Sequence, residues 1–187
     1  MKDIVYYSER LNKLPKYKLE NLNIGSGSKL QSERKQGWIN LDILYLDGIH
    51  VQADALYLPF KDNTFKEVTM FHVYEHFDNP LAVMDEVYRV CKPGAEVTIA
   101  CPYYKHRNAY GDPGHKTFIN EVTFSFLDNS YYEKATKMTQ YPHKFNFAII
   151  SNVYNCDPKY AGLDVVKFKD IIWDLIQEII VVLRVNK

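Results

Sequence analysis

The chain has 187 residues, enough for one domain with a sizeable buried core, and its 47% hydrophobic and 25% charged content is that of an ordinary globular protein. With 23 basic and 23 acidic residues it has no bulk positive field to grip a nucleic-acid backbone or an anionic bilayer, so a small-molecule partner is expected, with neither nucleic acid nor membrane. The three cysteines, Cys91, Cys101 and Cys156, are odd in number and form no CxxC pair, which excludes a disulfide framework and a zinc finger and suits a reduced, cytoplasmic setting.

Met1 to Lys18 is polar, mixed in charge and without the apolar core of a signal peptide; it reads as a loose arm or short helix leading into the domain. Leu19 to Ile24 is the first strand, ending in the turn Gly25-Ser26-Gly27. Glycine takes positive φ freely and lets a ligand lie against bare peptide, so this turn is a candidate cradle. Ser28 to Gln36 leaves room for only about two helical turns before Gly37. Trp38 to Leu44 is the second strand and Ile49 to Ala53 the third, each ending in an acid, Asp42 and Asp54. A glycine turn after one strand and a carboxylate at the end of the next lie side by side at the C-terminal edge of a parallel sheet, where a nucleoside with a ribose diol binds. Gly25 precedes Asp42 by 17 residues, slightly under the roughly 20 of a dinucleotide fingerprint.

Leu56 to Phe65 has the Pro, Asp and Asn of a surface connection, with Leu58 and Phe60 turned to the core. Lys66 to Val73 is the fourth strand, carrying His72 near its end and running into Tyr74-Glu75-His76-Phe77. Asp78 or Asn79 can cap the next helix, with Pro80 in its first turn and Leu81, Met84, Val87, Tyr88 and Cys91 on one face. Lys92-Pro93-Gly94 ends that helix, and Glu96 to Cys101 is a buried strand that stops at Pro102. Strand and helix in alternation, five strands from Leu19 to Cys101, predict an α/β three-layer sandwich with a parallel sheet.

Beyond Cys101 the composition changes. Tyr103 to Lys116 (YYKHRNAYGDPGHK) has loop composition, and with its length and place at the sheet edge it reads as a substrate-facing loop within an insertion over 102–145. Asn120 caps a short helix through Leu127, Phe145 to Tyr154 is the sixth strand, and Asp170 to Ile176 a brief helix. The β-branched Ile179 to Val185 is the seventh strand. The apolar stretch near the C-terminus is interrupted by Asp174 and Glu178, too polar and short to cross a bilayer.

The order of these motifs resembles the class I S-adenosylmethionine-dependent methyltransferases: LNIGSG is similar to their glycine-rich first motif and NLDI to their ribose-binding acid. ADALYLPF is similar to their adenine-framing loop, and FHVYEHF with EVYRVCKPGAEVTI to their fourth strand, helix and fifth strand. The resemblance covers about Leu19 to Tyr103 and implies an α/β, three-layer Rossmann-like sandwich with a seven-stranded, mostly parallel sheet and an antiparallel last strand, in one methyltransferase domain over 1–187 with S-adenosylmethionine as cofactor. It also implies roles. Gly25 and Gly27 would floor the methionine and ribose, Asp42 would accept both ribose hydroxyls with Ile43 beside it in the cofactor site, Asp54 would take the adenine amine, and Ala55 and Leu56 would pack on the ring. His72 would sit near the methionine end, and Asn23, where the family often has an acid, would accept from the cofactor's ammonium.

Methyl transfer needs mainly alignment, with a base only where the acceptor must lose a proton. The candidate catalytic bases are His76, His106 and His115, though a histidine just past the fourth strand serves as readily to anchor a loop. Lys105, Arg107 and Lys116 could hold an acceptor phosphate or carboxylate, or simply be surface charge. His106, Asp112 and His115 offer metal donors at a spacing that matches no signature, so no metal is expected. Cys101 has no positive partner to activate it and reads as a buried small residue. The expected function is methyl transfer to a small or sugar-like acceptor, at oxygen. A non-catalytic binding protein and an NAD(P)-dependent oxidoreductase are the rival readings, the latter weakened because GSGSKL lacks the third glycine of GxGxxG.

Overall fold

A computed structural model describes residues 6–7, 20–27, 38–137 and 143–187. The helix expected over Ser28 to Gln36 and most of the N-terminal arm lie outside the described residues. Eight strands form one sheet: β1 (Tyr6–Tyr7), β2 (Asn21–Ile24), β3 (Trp38–Asp42), β4 (Val51–Gln52), β5 (Phe65–Phe71), β6 (Cys91–Pro102), β7 (Phe147–Cys156) and β8 (Ile176–Val185). Their order is β1-β4-β3-β2-β5-β6-β8-β7. The pairs β4/β3, β3/β2, β2/β5 and β5/β6 are parallel, and β8 lies antiparallel between β6 and β7.

The seven expected strands are all present, with the last one antiparallel. The eighth corrects the reading of the arm: Tyr6–Tyr7 pairs antiparallel with β4, so at these two residues the arm extends the sheet. Among the described residues, five α-helices accompany the sheet: α1 (Pro80–Val90), α2 (Arg107–Gly111), α3 (Glu121–Ser125), α4 (Asn129–Thr136) and α5 (Val165–Phe168). α1 packs against β6 and α3 against β7.

Local chemistry explains most boundaries. The Asn79 side chain accepts from the Ala82 N–H, and Pro80 occupies the first turn of α1, where its missing N–H costs nothing. Asn120 and Thr123 form a reciprocal capping box at α3. β3 is buried along its whole length, as a strand covered on both faces must be. Leu22, Leu41, Met70, Ile99 and Val181, one from each of five neighbouring strands, are all buried in a single continuous core.

Other boundaries differ from expectation. β6 starts at Cys91, because Phe65 pairs with Cys91 before the register shifts to Glu67 and Glu96, so Lys92-Pro93-Gly94 bulges out within the strand and does not separate it from the helix. The loop after Tyr103 contains α2, capped by the His106 side chain. α4 went unread, and the helix expected over Asp170 to Ile176 is absent; α5 lies before it and β8 already begins at Ile176.

Two polar anchors position the loops. Arg89 on α1 donates to the Phe60 and Leu58 carbonyls at 2.7 and 2.8 Å and pairs with Glu86 and Asp62, fastening the connection that follows β4. Glu121 on α3 accepts from Tyr103 (3.1 Å), Tyr154 (2.7 Å) and Lys169 (2.6 Å), tying the insertion to β7. Burial alone would raise the Glu121 carboxyl, but those donors outweigh it and hold it at about 2, below its ordinary 4.5.

A carboxyl depressed on folding stabilises the protein above its unfolded pKa and loses that contribution as pH falls toward the folded value. Unfolding free energy is therefore expected to drop between about pH 5 and pH 2. Glu121→Gln should flatten that slope and cost roughly 1–2 kcal/mol at neutral pH, after allowance for its partial exposure. Urea titrations at several pH values check both.

Candidate active site

The chain runs from β2 outward to β3 and β4, then returns to the other side of β2 as β5. That reversal opens a crevice at the C-terminal ends of β2 and β5, the usual place for a ligand in an open parallel sheet. Three strand ends converge there, bringing Gly25, Asp42 and His72 to one edge.

The glycine turn folds over β3, with the Gly25 and Ser26 N–H groups donating to the Leu41 carbonyl at 2.8 and 3.2 Å. Both glycines have positive φ, +65° at Gly25 and +61° at Gly27, but they are needed for different reasons. A Cβ on Gly25 would meet the Val73 side chain at 2.3 Å, so the space that glycine opens is filled by the protein itself. A Cβ on Gly27 would meet nothing within 4 Å. The side of Gly25 where a Cβ would stand is thus filled by Val73 and that of Gly27 is open.

Asp42 is 8% exposed. Its two oxygens accept separately, Oδ2 from the Gly27 N–H and Oδ1 from the Leu44 N–H, each at 2.9 Å. Each oxygen keeps a lone pair free for a further donor. Asp54 is exposed and accepts from the Leu56 N–H at 2.9 Å, an Asx turn that holds Ala55 and Leu56 in the wall. These residues surround a cavity of about 570 Å³ whose other walls are Ile43, Leu44, His72, Val73, His76 and Phe77.

Of the expected donor-site residues, Gly25, Gly27, Asp42, Ile43, Asp54, Ala55, Leu56 and His72 all line this cavity. Asn23 does not. Its amide is buried within the sheet, donating to the Asn40 Oδ1 at 3.3 Å and accepting from the Thr69 hydroxyl at 3.0 Å, so the ammonium contact expected of it is replaced by a strand-to-strand bridge.

A second cavity, about 980 Å³, adjoins the first, and His72 and His76 line both. Its remaining walls are mostly polar: Glu75, Asn108, Asp112, His115, Asn155, Gln177 and Glu178. His72 has φ +53°, a conformation a non-glycine residue adopts at a cost of about 1–3 kcal/mol. Its Nε2 lies 2.8 Å from Glu178 and its Nδ1 3.7 Å from Glu75. The Glu178 hydrogen bond, with Glu75 behind it, raises the imidazole to about 9, so His72 is a cation at neutral pH.

The three expected bases separate. His76 donates from Nδ1 to the Gly114 carbonyl (3.2 Å) and His115 from Nδ1 to the Ala109 carbonyl (3.0 Å), which leaves Nε2 unprotonated in each neutral ring. His106 is buried, accepts from the Asn108 N–H at 3.1 Å and lines neither cavity; it caps a helix, and the structure does not bring it to the site. The basic residues of the same segment are also engaged elsewhere. Arg107 pairs with Asp174, Lys105 donates to the Asp170 carbonyl, and Lys116 lies 3.5 Å from Asp78. Cys101 is fully buried and its thiol is pushed well above the usual range, chiefly by that burial.

Glu75 and Glu178 are the residues that sequence reasoning passed over. Glu75 sat unweighted beside His76 in YEHF, and Glu178 was read only as an interruption of an apolar run. An acid inside an otherwise apolar strand is itself a signal, because burying it costs energy unless something meets it.

Residues 22–99 match the family model of a methyltransferase domain. Over 93 residues the chain is 34% identical to a ubiquinone/menaquinone biosynthesis C-methyltransferase of Desulfotalea psychrophila, covering 43% of this chain and 38% of that enzyme. It is 43% identical over 49 residues to the chloroplastic 2-phytyl-1,4-β-naphthoquinone methyltransferase of Arabidopsis thaliana, covering 26% and 19% of the two chains. The chain therefore spans well under half the length of these curated relatives. Among solved structures, a SAM-dependent methyltransferase from Archaeoglobus fulgidus superposes with TM-score 0.63 at 20% identity, covering 94% of this chain and 90% of that one. One from Aquifex aeolicus gives 0.57 at 15% identity, covering 95% and 88%. These likenesses show the fold.

The two glycines should respond unequally to alanine. Gly25→Ala combines positive φ with a methyl driven into Val73 and is expected to cost roughly 2–4 kcal/mol. Gly27→Ala carries only the backbone term, about 1–2 kcal/mol. Urea denaturation of both variants measures the difference.

Proposed function

We propose that this chain is a class I S-adenosylmethionine-dependent methyltransferase and that it moves a methyl group from S-adenosylmethionine to an oxygen of a small, polar, sugar-like acceptor, a reading supported by the methyltransferase-domain match over residues 22–99 and by the fold. The observation that carries this reading is the pair of adjoining cavities, one walled by a glycine turn and two acids, the other by imidazoles, carboxylates and amides, with His72 and His76 between them. Residues 1–187 act as one such domain, and the 102–145 segment faces the acceptor, supplying Asn108, Asp112 and His115.

The donor fits the first cavity by chemistry as well as size. A volume of about 570 Å³ suits a small-molecule ligand. Asp42, nearly buried and with lone pairs to spare, accepts the ribose hydroxyls; the open space at Gly27 admits the sugar and methionine against the peptide. Ile43 and Leu44, apolar yet 61% and 59% exposed, give the base a face to lie on, and Asp54 accepts from its amine.

When bound, the donor's sulfonium supplies an already activated methyl group, so this chain's residues have chiefly to orient the acceptor and draw off its proton. The Nε2 atoms of His76 and His115, left over by the Nδ1 contacts to carbonyls, are the candidate atoms to take the proton of the acceptor hydroxyl. His72, held cationic, binds and orients and does not serve as the base. Glu178, Asn155 and Gln177 offer hydrogen bonds to further hydroxyls.

Methylation of a quinone ring carbon is the second reading, favoured by the 34% identity to the Desulfotalea enzyme. Against it stands the polarity of the second cavity. Three free cysteines, Cys91 and Cys101 buried and Cys156 half-buried, support a reduced, cytoplasmic setting.

Calorimetry should show one S-adenosylmethionine per chain, with Asp42→Asn weakening it about 10–100-fold, the loss of a charge-assisted pair of hydrogen bonds. Tight NADH binding without S-adenosylmethionine binding would overturn the donor assignment. Methyl-labelled donor supplied with a panel of polyols and with a demethylated quinone should label an ether oxygen; labelling of the quinone ring alone contradicts the acceptor reading.

A further inference from the structure

We propose that the second cavity holds a divalent metal ion, ligated by the Glu75 carboxylate and the imidazoles of His76 and His115. Its purpose rests on the methyltransferase reading; its geometry does not.

Glu75 is 1% exposed, and neither of its carboxylate oxygens has a hydrogen-bond partner among the described residues. An ionised carboxylate buried without partners is costly, and structures keep one only where a cation or proton meets it. The ligand atoms offered by Glu75, His76 and His115 all lie within 4.8 Å of one another, and the three residues line one cavity. Donors about 2.0–2.2 Å from a tetrahedral ion stand roughly 3.3–3.6 Å apart, so the set closes with shifts of about 1–1.5 Å.

The outer contacts are those that metal-binding histidines carry. A ligating imidazole donates its other N–H to a carbonyl or carboxylate, which fixes both tautomer and ring orientation. His76 does this with the Gly114 carbonyl and His115 with the Ala109 carbonyl, leaving Nε2 as the available lone pair in each. The His115 Nε2 is 3.9 Å from Glu75 Oε1, a gap a shared ion would bridge. The His72 Nδ1 also approaches Glu75 Oε1, at 3.7 Å, too far for a hydrogen bond, so this imidazole offsets part of the Glu75 charge while both carboxylate oxygens keep their lone pairs for an ion.

Two imidazoles and one carboxylate suit zinc, iron(II), manganese or cobalt better than calcium or magnesium, which prefer all-oxygen sets. Three protein ligands leave coordination positions open toward the cavity. An acceptor hydroxyl bound there loses its proton to solvent more readily; with the ion in place the His76 and His115 Nε2 lone pairs are spent as ligands, and the ion takes over the task the free imidazoles perform without it. This replaces the metal-free site expected from sequence, where only the combination of His106, Asp112 and His115 was weighed.

The test uses the full chain, stripped with a chelator and titrated with Co²⁺ and Zn²⁺ in the absence of donor. One equivalent should bind, giving cobalt d–d bands of a nitrogen–oxygen ligand set with no thiolate charge-transfer band. Glu75→Gln and His115→Ala should each weaken binding at least tenfold. No stoichiometric binding, a thiolate band, or unchanged affinity in both variants overturns the proposal; should the variants not fold, the wild-type cobalt spectrum decides alone. Calorimetry with S-adenosylmethionine on the same sample separates the two readings. Donor binding without cation binding sinks only the metal site, and cation binding without donor binding sinks only the methyltransferase assignment.

Discussion

The Asp42 carboxylate holds two loops at once. One oxygen takes the Gly27 N–H from the turn after β2 and the other takes the Leu44 N–H beyond β3. Charge-assisted bonds of this kind are stronger than neutral ones, and this pair lies where burial limits competition from water. Remove it and the turn loses its register against β3, the opening beside Gly27 loses its floor, and the first cavity loses its shape. Asp42 is thus a framework residue before it is a ligand-binding one, and the two roles are compatible because an ionised carboxylate has more lone pairs than the backbone uses.

The segment from His72 to His76 does for the second cavity what Asp42 does for the first. β5 ends at Phe71, His72 turns back with positive φ, and Tyr74–His76 coil into a single 3₁₀ turn. The buried Tyr74 anchors that turn against Phe124 and Phe77. With Tyr74 fixed, its neighbours are directed: Glu75 inward, His72 and His76 to the boundary between the cavities. The insertion then closes the far side, and the Lys116 and Thr117 N–H groups grip the Glu75 carbonyl, at 2.7 and 3.2 Å. A strained residue and a buried acid within four positions mark a place where the fold gives up stability for chemistry.

Much of this was legible in the sequence because local rules and tertiary demands agree over most of the described residues from Leu22 to Cys101, the bulge at Lys92-Pro93-Gly94 excepted. Alternating apolar runs, two glycines, acids at strand ends and Asn79-Pro80 at a helix start each have one structural solution, and the structure adopts it. The readings that failed are those where a side chain had two legitimate uses. Asn23 and His106 looked like ligand contacts, but a buried amide and a buried imidazole must first satisfy the backbone and neighbours around them, and those neighbours, Thr69 and the Asn108 N–H, are distant or hidden in the pattern. α2 and α4 are short and capped by His106 and Asp128, without an apolar periodicity long enough to notice. Glu75 escaped because nothing in a sequence says whether an acid is solvated or enclosed.

The central claim is that a nucleoside seats between Gly27 and Asp42. Amide NMR spectra recorded while S-adenosylhomocysteine is added test it at those atoms. The account predicts saturable shifts of the Gly27 and Leu44 N–H signals, both bonded to Asp42, together with Ala55 and Leu56, and smaller changes across β7. Saturable binding that leaves Gly27 and Leu44 unmoved while shifting residues elsewhere would contradict it.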